Sequence, residues 1–254
     1  MLRCPPLLRF VCYLAPSLPD ELFLRIARHV EATGGVATSV RFERDISGPL
    51  EGDADPFADE TADVGFVCAP SYRWLRPRVE LLPVLVPLDP RAEDRPVYFS
   101  DVVVRRGSDA KSFDDLRGQR WAYNDRNSRS GWFSMLERVA PAPPKAFFAS
   151  LVQAGSHLAS LDAVLEGRVD GAAIDSNVLR LQGERPELRQ QLRVLESWGP
   201  FPIQPVIVRA SVPAALKARL ARSLLGMHER SDAGLESFGF RRFARAAPAS
   251  YDAA

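Results

Sequence analysis

YFSDVVVRRGSDAKSFDDLRGQRWAYNDRNSRSGW, running from Tyr98 to Trp132, contains two strand-like apolar runs, Phe99–Arg105 and Arg120–Asn124. Between them sits a short helical segment, Ser112–Gly118, that stops on glycine. The second run opens into a polar loop, Asp125–Gly131, and a helix follows at once. Trp132, Leu136 and Val139 recur at helical spacing, and Pro141 closes the segment. This order puts hydroxyls, arginine and glycine where backbone N–H groups lack partners and the helix dipole is positive, which suits an anion. Gly131 would let the backbone approach such a ligand closely. Ser128 and Ser130 are equally at home as ordinary helix N-caps, so the loop by itself leaves both readings open.

Outward from this segment, strand-like and helix-like stretches alternate, the pattern of an α/β protein with largely parallel sheets. Upstream, a first buried strand is expected at Arg9–Ala15, a helix from Asp20 to Ala32, and strands in the apolar runs Val64–Cys68 and Leu81–Leu88. Downstream come a helix at His157–Glu166, strands at Gly171–Asp175 and Pro205–Arg209, and a helix at Pro213–Met227. Asp45–Glu60, acidic and glycine-containing, is expected to be irregular, and PAPPK at 141–145 to be a surface loop.

Several motifs occur in a fixed order: ADVGFVCAPSYRWL from Ala62, then YFS, SFDDLRG, NDRNSRSGW, GSH at 155–157 and GRVDGAAIDSN at 167–177. They resemble the substrate-binding proteins of phosphate, phosphite and phosphonate ABC transporters. In that family a VDIAWxGPxSY strand and turn precedes a hinge-proximal Tyr-Ser segment, a SLADLKG-like helix, a DPxSTSGY loop, GSH and G-x-VDAA-x-DSN. The C-terminal FGFRRFARAAPASYDAA resembles the family's closing helix and tail.

The resemblance implies a two-lobed type II periplasmic-binding-protein fold, α/β with mostly parallel sheets and a hinge between the lobes. Residues 1–96 and 197–254 would form lobe 1 and 97–196 lobe 2, with crossings near Val97–Val103 and Leu195–Ile207 and the ligand in the cleft between. It also implies ligand contacts from Ser128, Arg129, Ser130 and Gly131, which match the family's Ser-Thr-Ser-Gly with arginine in place of threonine. Arg129 either reaches a phosphoryl oxygen or turns out to solvent, and the compact pocket of the family favours the outward course; Arg126 is expected to face solvent as well. His157, from GSH, would contact the ligand as a neutral imidazole, although a lone histidine also serves as a cap or packing residue. His29 and His228 lack such a context and are read as surface residues on helices.

Asp175 could accept a hydrogen bond from P–OH, or pair with an amino substituent, while repelling a fully ionised anion such as sulfate. It could equally be a plain N-cap, as could Ser176 and Asn177. Ser71, Tyr98 and Ser100 could each place a hydroxyl in the cleft and Gln204 an amide, while Tyr72 could instead pack. The usual lobe 1 aromatic contact, upstream of residue 60, has no counterpart.

At 254 residues the chain is long enough for two lobes with cores of their own, and 46% hydrophobic with 26% charged residues is an ordinary globular balance. A formal net charge of +1 offers no field for nucleic acid, and no apolar run is long enough for membrane insertion. Cys4, Cys12 and Cys68 form no metal spacing and read as thiols, Cys12 and Cys68 in apolar runs. Met1–Leu14 has no apolar core of about 7–15 residues behind a basic start. Pro5, Pro6 and Arg9 interrupt the segment, and Cys4 has no hydrophobic leader before it. As written, the chain is expected in the cytoplasm, and in the periplasm if a leader has been removed.

The function these readings favour is a non-catalytic solute-binding protein for a phosphate-like oxyanion or phosphonate, closing two lobes around its ligand. It would need no cofactor or metal, and its protein partner would be an ABC transporter permease if it is exported. The alternative is a cytoplasmic enzyme on the same scaffold, acting on a small phosphorylated or carboxylated metabolite. Ser128 or Ser130, His157 and Asp175 can be drawn as a hydrolytic triad, but G-x-S-x-G, a P-loop, G-x-G-x-x-G and His/Cys metal clusters are absent from the sequence.

Overall fold

A computed structural model describes residues 6–230 and 234–252. Cys4, the start of the Met1–Leu14 segment and the last two residues of the C-terminal tail lie outside the described residues. The chain divides into two units, one taking the chain up to Val97 and again from Pro202, the other taking Tyr98–Phe201.

The first unit opens with β1 (Leu7–Cys12), α1 (Asp20–Gly34), β2 (Ala37–Phe42), β3 (Val64–Phe66), α2 (Ala69–Leu75), β4 (Val79–Leu81) and β5 (Val84–Pro87). β6 (Val97–Arg105) carries the chain into the second unit. There follow β7 (Arg120–Tyr123), α3 (Ser134–Val139), α4 (Pro144–Phe147), β8 (Ser150–Gln153), α5 (His157–Leu165), β9 (Gly171–Asp175), α6 (Ser176–Leu181) and α7 (Pro186–Gln191). β10 (Leu192–Pro202) leads back, and β11 (Val206–Arg209), α8 (Ala214–Leu225) and β12 (Phe240–Ala244) complete the first unit.

Each unit is built on a sheet of its own. In the first the strand order is β2-β1-β3-β11-β4, with β1 parallel to β2 and β3, and β11 antiparallel to β3 and β4. In the second it is β10-β6-β9-β7-β8, with β7 parallel to β8 and β9, and β6 antiparallel to β9. The antiparallel pairs involve β6, which leaves the first unit, and β11, which re-enters it. Neither is tied to its neighbour by the helical crossover that produces a parallel pair.

Burial follows from the sequence. In β6, residues 100–104 are all buried, which accounts for its continuous apolar run. Around it, Phe113, Trp121, Phe147, Phe148 and Trp198 fill the second core, with Phe113 stacked on Phe147 at 5.0 Å and edge-on to Trp198 at 5.0 Å. The first core contains Val11, Phe57, Val67, Leu75, Ile207 and Tyr251. Cys12 and Cys68 are both buried, and burial pushes the Cys12 thiol up to about 12, so it behaves as a small core residue.

One carboxylate staples the first sheet. Asp63 accepts from the Arg9 backbone N–H at 3.0 Å, from Arg9 Nε at 2.9 Å and from Arg209 Nη2 at 2.9 Å. Burial pushes its pKa up, but the bonds from Arg9 and Arg209 outweigh burial and hold it below the usual carboxylate value.

Several expectations need correction. Leu81–Leu88 is two strands: β4 ends at Leu81 and pairs with β11, while β5 starts after Pro83 and pairs with β12. Proline has no N–H for a ladder, so the run cannot continue through it. Ser112–Gly118 holds only a 3₁₀ turn, Phe113–Leu116, closed by a Ser112/Asp115 capping box. The expected closing helix is instead β12 and a 3₁₀ turn at Pro248–Tyr251, anchored where the Tyr251 hydroxyl donates to the Ile203 carbonyl at 2.8 Å. His29 is buried, not a surface residue: it falls on the inner stripe of α1 with Leu22, Ile26 and Val30, and its Nε2 lies 2.8 Å from the Ser223 carbonyl of α8. His228 is exposed.

Candidate functional site

β7 ends at Tyr123, and a single buried carboxylate organises the turn that follows. Asp125 Oδ1 accepts from the Asn127 backbone N–H at 2.9 Å, and its Oδ2 from Asn124 Nδ2 at 2.8 Å. Ser128 caps the next segment, its Oγ accepting from the Gly131 N–H at 3.0 Å. That segment is a single π-helical turn, Arg129–Phe133, in which the Ser128 carbonyl accepts from the Phe133 N–H at 3.0 Å before α3 begins. Such turns shift side chains out of α-helical register and occur often at functional sites.

Ser130 is the hub of the turn and is 1% exposed. Its Oγ lies 3.1 Å from His157 Nε2. Its carbonyl accepts from Ser100 Oγ at 2.8 Å and also from Ser134 Oγ. Ser100, expected to offer a hydroxyl to ligand, therefore supports the turn from β6. At Gly131 a Cβ would sit 1.8 Å from Asn124 Oδ1 and 3.3 Å from His157 Cε1. The close approach that requires glycine here is made by the protein's own side chains.

His157 begins α5, just after Ser156, whose Oγ caps the helix by accepting from the Ala159 N–H at 3.1 Å. Burial pushes the imidazole down to about 3, against a smaller upward pull from a backbone hydrogen bond at Ala173. The ring is therefore neutral at physiological pH. The ring turns Nε2 towards Ser130.

Arg129 does not turn out to solvent. Its side chain is 4% exposed, with Nη2 2.9 Å from Glu137 Oε2 and the guanidinium 4.1 Å above the Phe201 ring. An aromatic face on one side and a carboxylate along α3 on the other draw the cation into the unit. Arg126 is exposed, as expected, and lies over Trp132. Tyr98 is 1% exposed, its ring 6.1 Å from that of Phe201.

Asp175 is the N-cap of α6, its Oδ1 accepting from the Asn177 N–H at 2.7 Å. Ser176 Oγ accepts from the Phe99 N–H at 3.1 Å, tying α6 to β6. Of the expected contacts, Ser128, Arg129, Ser130, Gly131, His157, Asp175 and Tyr98 all belong to the second unit. Ser71 belongs to the first and lies in α2, fully buried, with a hydroxyl that has no hydrogen-bond partner among the described residues. The Ser71 side chain meets Gly48, where a Cβ would come within 2.5 Å of its Oγ. Tyr72 packs, edge-on to Tyr251 at 5.2 Å, and Gln204 is half-buried.

Two participants escape a reading by sequence. Asn124 reads as the last residue of a strand-like run, yet it sets the space at Gly131. Asn177 looks like a helix-start residue, yet both polar atoms of its side chain are buried without a partner among the described residues. Only the orphaned carboxamide marks it, and no spacing rule could.

A separate open cavity of about 710 Å³, lined by Arg105, Arg106, Asp115 and Asp170 among others, lies at the opposite end of β6 from Ser100. Asp170 at its wall pairs with Arg120 at 2.8 Å and Arg105 at 3.6 Å. Among the described residues no cluster of His, Cys, Asp or Glu could hold a metal, and no helix is long and apolar enough to cross a membrane.

A family model described as ABC transporter, phosphonate, periplasmic substrate-binding protein matches residues 10–251. No curated protein matches the sequence. Among solved structures, the chain is similar to a binding protein component of an ABC phosphonate transporter from Pseudomonas aeruginosa, with a TM-score of 0.81 and 17% identity, covering 97% of this chain and 83% of that one. It is similar to PhnD1 from Prochlorococcus marinus in complex with methylphosphonate, with a TM-score of 0.79 and 16% identity over 98% and 95% of the two chains. A chloride-bound protein from Xanthomonas citri gives 0.69 and 19% over 96% and 93%. The fold these likenesses share is the two-lobed type II periplasmic-binding-protein fold.

Proposed function

The chain belongs to the family of periplasmic substrate-binding proteins of phosphonate ABC transporters, and from that premise we propose that Ser128–Gly131, His157, Asp175 and Tyr98 form the second unit's share of a phosphonate site, with Ser71 from the first. The observation that carries the assignment is the buried Ser130–His157 pair, 3.1 Å apart on a π-helical turn. In its Nε2–H tautomer the neutral imidazole, like the serine hydroxyl, has one hydrogen bond to donate to an oxyanion, without a proton that comes and goes near neutral pH. Ser128 contributes by shaping the turn, since its hydroxyl caps Gly131. Arg129 acts in the same way, through Phe201 and Glu137.

Asp175 would add selectivity by accepting a hydrogen bond from P–OH and repelling sulfate. The protein partner that follows is an ABC transporter permease, and the compartment is the periplasm, where the family normally works. An enzymatic reading gains little from the same geometry. An imidazole with a pKa of about 3 is too weak a base to take a serine proton near neutral pH. Asp175, the carboxylate such a triad would need, is engaged as a helix cap through Oδ1.

Titration calorimetry with methylphosphonate tests the assignment. Ser130→Ala is expected to weaken binding by roughly 1–3 kcal/mol, or about 5- to 150-fold, the cost of a charged acceptor losing its donor. Unchanged affinity would remove the turn from the site.

A further inference from the structure

Asn177 sits in the first turn of α6, 2% exposed, with both Nδ2 and Oδ1 sealed from solvent and without hydrogen-bond partners among the described residues. Its neighbours are engaged elsewhere: Asp175 Oδ1 holds the Asn177 N–H at 2.7 Å, and Ser176 Oγ holds the Phe99 N–H at 3.1 Å. The residue is also close to the proposed site. Asp175 is paired across the sheet with Ser100, whose Oγ donates to the Ser130 carbonyl at 2.8 Å, and β9 packs against the π-helical turn. A buried carboxamide with neither end satisfied is costly in any folded protein, because it has given up water and gained nothing. Its retention beside an anion site is accounted for if a ligand completes it.

Resting on the phosphonate-binding reading above, we propose that the Asn177 carboxamide pairs with a HO–P–O⁻ edge and so selects a singly protonated phosphorus oxyanion. The amide presents one acceptor and one donor side by side. A singly protonated phosphonate presents the complement: P–OH donates to Oδ1 while P–O⁻ accepts from Nδ2. Sulfate, ionised at both acidic oxygens in neutral water, offers acceptors only and leaves Oδ1 unmatched. Asn177 thus reads the proton with a neutral group, where Asp175 reads it by charge.

The test compares wild type with Asn177→Leu, which keeps the size and removes both polar atoms. Affinities for methylphosphonate and for sulfate are measured by titration calorimetry, together with the thermal midpoint of the ligand-free proteins. Expected are a loss of methylphosphonate affinity of about tenfold or more, a smaller change for sulfate, and a ligand-free midpoint equal to or above wild type, because an unmet polar group has gone. A purely structural asparagine would give the reverse: a lowered midpoint with affinity within twofold, which overturns the proposal. Should Asn177→Leu fail to fold, Asn177→Ser is judged by the same affinity criterion. If wild type binds methylphosphonate and neither variant loses affinity, this proposal alone falls. If wild type binds no phosphonate, the functional reading falls with it.

Discussion

Gly131→Ala is expected to destabilise the protein by about 1–3 kcal/mol and to weaken phosphonate binding about 100-fold, although the change adds a single methyl group. Helix propensity alone points the other way, since alanine is favoured over glycine by about 1 kcal/mol in a helical turn. Sterics decide the sign. The new Cβ would lie 1.8 Å from Asn124 Oδ1, the end of a short, buried side chain already committed through Nδ2 to Asp125 at 2.8 Å. Relief requires the turn to move away from Asn124, carrying Ser130 off His157. Urea unfolding and titration calorimetry on the same variant measure both effects. A variant as stable as wild type and with full affinity would show that the turn yields freely, contrary to the packing described.

The second large effect is on pH dependence. His157 in the folded protein is held down to about 3 by burial, against an ordinary value of 6.5. Between these values the unfolded chain binds a proton that the folded protein refuses, so stability rises with pH and is lost as pH falls below 6.5. The slope from this one group is about 1.4 kcal/mol per pH unit. Asp63, Asp115 and Asp170 are shifted in the opposite sense relative to their charge, held low in the folded state from an ordinary 3.8, and their losses come only as pH approaches that value. Urea unfolding between pH 6.5 and 5 therefore isolates the histidine. His157→Gln should flatten the curve in that window, whatever its cost at neutral pH. Parallel curves for the two proteins would mean that the imidazole titrates normally and is not buried as described.

What the sequence shows of this molecule depends on whether a residue's neighbours in space are also its neighbours in the chain. β6, β7, β9 and the turn after β7 were legible because their apolar runs and loop chemistry are local. GSH and GAAIDSN could be placed because Ser156 and Asp175 cap helices that start beside them. β2, β8 and β10 escape a reading by sequence: all three are edge strands with mixed burial, and none shows a clean alternation of apolar and polar residues. β12 lies where the resemblance implies a closing helix, and its partner, β5, more than a hundred residues away, leaves no local sign of a strand. The course of Arg129 depends on Phe201, and the burial of His29 on Ser223, contacts that no local pattern encodes. Gly131 was recognised as a close-approach glycine, but its approaching groups, Asn124 and His157, emerge only in three dimensions.

The most direct test of phosphonate binding is the thermal midpoint of the refolded protein, cleared of any carried-over ligand, in methylphosphonate, phosphite, phosphate, 2-aminoethylphosphonate and sulfate. A ligand present at a hundred times its dissociation constant stabilises by about 2.7 kcal/mol. For a chain of this length that raises the midpoint by roughly 5–10 °C. A rise of that size with at least one phosphonate and none with sulfate is the result predicted. A midpoint unmoved by every phosphonate, or moved as far by sulfate, would contradict it.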